Sequence, residues 1–128
     1  MNHISPTEES PMTIENLQKT VKSFCEAREW DQFHNPKDLA IGISTEANEL
    51  LDIFRFKTDA QMKIMMKSEN SREMISEELA DTFFFILRFS EMYGFDLDKV
   101  LKDKMNKNNK KYPVETAKGN NLKYTEFE

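Results

Sequence analysis

Four carboxylates stand in two pairs of equal spacing, Glu46 with Glu49 and Glu78 with Asp81. Residues three apart on a helix share a face, so each pair can aim two carboxylates at one point. Spacing alone singles out nothing, because the chain has 23 acidic residues in 128 and Glu26/Glu29 and Glu49/Asp52 are spaced alike. The neighbours separate them. Glu46 and Glu49 interrupt the apolar line Leu39, Ile43, Leu50 and Ile53, and Glu78 and Asp81 interrupt Met74, Phe85, Phe89 and Met92. Taking even one unpaired carboxylate out of water is costly, so a buried cluster requires cations, protons or strong donors beside it. The only histidines are His3 and His34 and the only cysteine is Cys25, which leaves an all-oxygen donor set. Such a set suits Mg²⁺ or Mn²⁺ and disfavours zinc. A di-iron site in a helical bundle would want a histidine three residues after a glutamate, and none is present. The competing reading is that these positions face solvent in a different helix register.

Helices must present these residues. Apolar positions Ile14, Leu17, Val21, Phe24 and Ala27 recur three or four apart and predict a first helix over 13–29, with Thr13 able to cap it. Asn35 followed by Pro36 marks the start of a second, running to about Phe56. The stretch 58–70, with Met62, Ile64, Met65 and Met66, suits a short helix or a flap, and its methionines read as packing. Ser71, with Met74, Ile75, Leu79, Phe83, Ile86 and Leu87, opens a third major helix, strongly apolar and therefore central, that the Tyr93-Gly94 step closes. Asp96 can cap a last helix that enters the basic stretch Lys107–Lys111 and stops near Pro113.

Composition agrees. Three glycines, four prolines and 32% charged residues favour long helices with short joints, an all-α bundle of four to five helices. At 38% hydrophobic residues the chain has room for one thin core, which helical subunits often supplement by oligomerising. The expected organisation is a disordered leader over 1–12, one domain over 13–112 and an extended tail over 113–128. A net charge of −5 argues against a nucleic-acid backbone binder. One cysteine excludes an internal disulfide framework, no apolar run reaches the ~20 residues of a membrane span, and the start lacks a signal pattern. A cytoplasmic protein with no membrane partner is the expectation.

The motifs E-x-x-E at Glu46–Glu49 and E-x-x-D at Glu78–Asp81 resemble the signature of the MazG-like, all-α nucleoside triphosphate pyrophosphatases. The segment Arg28–His34, the residues Lys104, Asn108 and Lys111-Tyr112-Pro113, and the late Lys123-Tyr124-Thr125 resemble the dCTP pyrophosphatase branch in particular. The resemblance covers 13 to the C-terminus. It implies a helical fold that forms dimers or dimers of dimers with sites completed across subunits. The implied reaction takes a (d)NTP to (d)NMP and pyrophosphate, favouring dCTP or modified dCTP, in cleansing the nucleotide pool.

The same resemblance implies roles. Glu46, Glu49, Glu78 and Asp81 would form the catalytic metal site, with one of them able to take the proton of an attacking water. Lys104, Asn108, Lys111 and Tyr112 would bind phosphates; otherwise the lysines complement the dipole at a helix end. Trp30, Phe56 and Phe85 would stack on the base; otherwise they are core. Phe56 and Phe85 stand where this branch commonly has tryptophan and tyrosine, and Val21 where histidine is often seen, so the base preference is open. The alternatives are a broad-specificity or dUTP-type pyrophosphatase, or a noncatalytic dimerisation or nucleotide-sensing module holding a structural ion.

Overall fold

A computed structural model describes residues 11–126; the expected leader lies outside them except for Pro11 and Met12. The described residues form helices and no strand. The helices are α1 (Ile14–Ala27), α2 (Pro36–Phe54), α3 (Asp59–Met65), α4 (Glu69–Tyr93), α5 (Leu97–Lys111) and α6 (Val114–Ala117), with 3-10 turns at Trp30–Phe33 and Tyr124–Glu126. Four are long, within the expected four to five; α3 has 7 residues and α6 has 4.

Short polar side chains begin the helices by satisfying backbone N–H groups that lack a partner in the first turn. Thr13 accepts from Asn16, Asn35 from Asp38, Ser68 from Ser71 and Asp96 from Lys99. Thr58 and Gln61 form a reciprocal capping box, which makes α3 a helix. Because Ser68 is the cap, α4 starts at Glu69, two residues before the sequence expectation. α1 ends at Ala27, since Glu29 turns into the left-handed region at φ 55°. Gly94, at φ 73°, ends α4 in the conformation that glycine adopts most readily.

The chain divides into two units, 1–94 and 95–128. In the first, α1 and α2 both pack chiefly on α4. Gln18 Nε2 donates to Ser90 Oγ and Phe24 meets Phe84 edge-on, so α1 runs antiparallel to α4. Gly42 lies against Phe85 and His34 pairs with Arg88, so α2 is antiparallel to α4 as well. Among the described residues the core is small: Val21, Cys25, Leu39, Ile75 and Leu87 are its buried apolar residues. Ile43, Leu50 and Ile53 are half-buried, as a stripe continuing from Leu39. Met74, Leu79 and Phe83 depart from the expected buried faces of α4 and are exposed, because α1 and α2 cover only part of its circumference.

In the second unit Tyr112 and Lys111 both pack on Tyr124. The segment expected to be extended carries α6 and a 3-10 turn instead. Pro113 cannot continue α5, but its carbonyl accepts from Ala117 and starts a new helical turn. Among the described residues no helix is long and apolar enough to cross a membrane.

Candidate active site

The crossing of α2 over α4 is set where a side chain is missing. A Cβ on Gly42 would lie 2.6 Å from the Phe85 ring, so only glycine lets the helices approach this closely. Glu46 is one turn beyond Gly42, and Asp81 one turn before Phe85. The antiparallel contact therefore carries Glu46 of α2 opposite Glu78 and Asp81 of α4.

One carboxylate oxygen from each of Glu46, Glu78 and Asp81 lies within 4.8 Å of the others. Glu46 and Glu78 are half-buried and Asp81 is exposed, so the cluster opens to solvent at one side. Glu78 Oε2 is shut from solvent and has no hydrogen-bond partner. Its burial, then a carboxyl hydrogen bond with Glu46, then the charges of Glu46, Asp81 and Glu49 push the Glu78 carboxyl above its usual range. Glu49 stands outside the three-residue cluster, exposed on the next turn of α2, though its charge reaches Glu78. An all-oxygen trio with an orphaned buried oxygen fits a hard divalent cation, which satisfies lone pairs that no protein donor reaches.

The aromatic residues singled out in the sequence occupy three different settings. Trp30 lies in the 3-10 turn after α1, edge-on to Phe24 at 5.5 Å and to His34 at 6.1 Å. Phe85 is half-buried against Gly42 and edge-on to Phe84 at 5.2 Å. Phe56 follows α2 with φ 65°, an unusual conformation for an aromatic residue. Its side chain is 89% exposed, with Arg55 over the ring at 4.8 Å. In the second unit Lys104, Asn108 and Lys111 recur at four and three residues along α5 and so share a face, while Tyr112 caps its end.

A group absent from the sequence reading is the one around Arg88. Its side chain is 1% exposed, and it hydrogen bonds Asp31, His34 and Glu91. An arginine amid Leu87, Phe89 and Ser90 was the available signal, since a charge in so apolar a run is buried only with partners.

The model of the MazG-like family matches residues 41–127, a span that includes all four motif carboxylates. The chain belongs to the MazG-like family. This MazG-like chain is similar to human dCTP pyrophosphatase 1, at 31% identity over 115 residues covering 90% of this chain and 68% of that one. The Rattus norvegicus dCTP pyrophosphatase 1 is 30% identical over the same shares. A solved pyrophosphatase from Archaeoglobus fulgidus superposes with a TM-score of 0.70 at 29% identity, covering 88% of this chain and 97% of that one. The resemblance of the carboxylate motifs, the Trp30 segment and the lysine-tyrosine-proline run thus pointed to the right family and branch.

Proposed function

We propose that this chain is a nucleoside triphosphate pyrophosphohydrolase that cleaves (d)NTP to (d)NMP and pyrophosphate, favouring dCTP, and that it serves nucleotide-pool cleansing. The observation that carries the reading is the convergence of Glu46, Glu78 and Asp81 with Glu78 Oε2 unpartnered, in a chain alike over nine-tenths of its length to dCTP pyrophosphatases.

In this reading Glu46, Glu78 and Asp81 would hold a magnesium ion, or manganese in its place. A bound magnesium supplies charge neutralisation for the triphosphate and acidifies a coordinated water. Glu49, exposed and outside the trio, is assigned the role of taking the proton of the water that would attack the α-phosphorus. Its spare carboxylate is not committed to the cluster, which suits the role of base. Trp30, Phe56 and Phe85 are assigned to the base; Trp30 and Phe56 still expose ring surface for stacking. Lys104, Asn108, Lys111 and Tyr112 are assigned to the phosphates, with charge and donors along one face and at the end of α5.

The working form is proposed to be a homo-oligomer, a dimer or dimer of dimers. Supporting it is the apolar surface of the isolated subunit, with Leu79 53% exposed and Ile41, Leu51 and Phe83 also open. Apolar surface of that extent is usually covered by a partner.

A pyrophosphate-release assay over all common NTPs and dNTPs with Mg²⁺ tests the function. The expected result is stoichiometric dCMP and pyrophosphate, with dCTP having the highest kcat/KM. Orthophosphate as the direct product, or no release from any substrate, overturns it.

A further inference from the structure

Arg88 lies on the face of α4 that carries Asp81 and Phe85, seven residues beyond Asp81. Nε donates to His34 Nδ1 at 2.8 Å, Nη2 to Asp31 and Nη1 to Glu91. Two of these partners, Asp31 and His34, belong to the turn that carries Trp30 and to its C-terminal cap. The turn packs on α1, and its ties to Arg88 add a hold on α4. None of its four residues is buried, and the chain enters it through Glu29 in the left-handed region. Trp30 meets Phe24 of α1 and His34 edge-on, and the ties of Asp31 and His34 to Arg88 join the turn that carries the indole to α4.

We propose that Arg88 is a positioning residue for nucleotide binding: through Asp31 and His34 it clamps the Trp30 turn to the same helix that bears Glu78 and Asp81. Base and reacting phosphate are thereby held on one frame. The inference rests on the reading of Trp30 as a base-stacking residue.

A buried arginine is a poor device for stability alone, because an apolar side chain of similar volume avoids its desolvation. What the guanidinium adds is direction: a planar fork whose donors leave at fixed angles toward two partners on another element. Lysine keeps the charge and loses the fork. His34 accepts at Nδ1, so protonation removes the acceptor and sets a cation against Arg88. The charged groups around His34 are Arg88 from α4, Asp38 from α2 and Asp31 from its own turn; burial and then Arg88 hold it below the usual histidine range. Around Arg88 stand Asp31, Glu91 and, from α1, the buried Cys25.

Trp30 is the only tryptophan in the chain, so intrinsic fluorescence reads the turn directly without nucleotide. Arg88→Lys should red-shift Trp30 emission and increase its quenching by acrylamide. It should raise KM for dCTP about tenfold while kcat stays within about threefold, the pattern of lost binding rather than lost chemistry. Asp31→Asn, at an exposed carboxylate whose loss leaves Arg88 paired with Glu91, should shift emission and KM the same way by less, and it decides the matter if Arg88→Lys does not fold. In the wild type, emission should titrate below pH 6.5, and His34→Gln, which can still accept a hydrogen bond, should abolish that titration. Unchanged emission and KM in folded Arg88→Lys or Asp31→Asn overturn the proposal, as does a fall in kcat at constant KM. If no nucleotide is turned over, the pyrophosphatase reading fails, and the emission shifts still decide the clamp.

Discussion

Among the three clustered carboxylates, Glu78 carries an oxygen that neither water nor a donor reaches, and its pKa is raised by that burial and by its acidic neighbours. A carboxyl whose folded pKa lies above its unfolded value adds stability below the unfolded pKa and loses it as pH rises through the folded one. At pH 7 without metal, Glu78 therefore works against folding. Glu78→Gln should raise the Tm of the EDTA-treated protein at pH 7, with the gain vanishing toward about pH 4, and should abolish turnover by at least ~100-fold. Differential scanning calorimetry across that pH range, beside the pyrophosphate assay, checks both. Glu46→Gln separates catalysis from a structural ion: lost turnover with a retained Tm supports the enzyme, whereas a collapse of Tm points to an ion that holds the fold. Mg²⁺ should raise the Tm of the wild type and not that of Glu78→Gln, because a ligand stabilises only the state that binds it.

At the scale of the element, the α2–α4 crossing decides whether carboxylates on separate helices meet at all. Gly42→Ala should force the helices apart at Phe85 and cost about 1–3 kcal/mol, the usual range for overpacking a tight contact. Turnover should fall with it, since Glu46 moves with α2; Gly42→Ala with Phe85→Leu should recover part of the lost stability, and chemical denaturation of the four proteins closes the cycle. The elements themselves were readable beforehand. Thr13, Asn35, Asp96 and Gly94 sit at caps because capping is local chemistry, written within four residues of each helix end. Spacing and apolar context aim all four motif carboxylates at one point, and the structure gathers Glu46, Glu78 and Asp81. Glu49 could not be told from Glu46, because its exclusion from the trio depends on where α4 crosses. Gly42 carried no local signal, and neither did two of the three partners of Arg88, His34 and Asp31, which lie 54 and 57 residues away.

For the whole molecule, the core of five buried apolar side chains among the described residues is thin, and α4 leaves Leu79 and Phe83 open on one flank. Periodicity marked these residues as buried and was silent on what buries them, so the sequence expectation placed them inside the subunit. A second copy is the proposed cover. Leu79→Glu with Phe83→Glu should lower the mass seen by sedimentation velocity to that of the monomer and reduce Tm, and in the wild type Tm should climb with protein concentration.

The two main neighbours of α4, α1 and α2, precede it in the chain and pack chiefly on it. During synthesis α1 and α2 thus leave the ribosome before the helix on which they chiefly pack, and their amphipathic faces stay open until Ile75 and Leu87 follow. Nascent chains paused before α4 are the form of this protein most in need of a chaperone, whereas completion of a single helix closes two contacts at once.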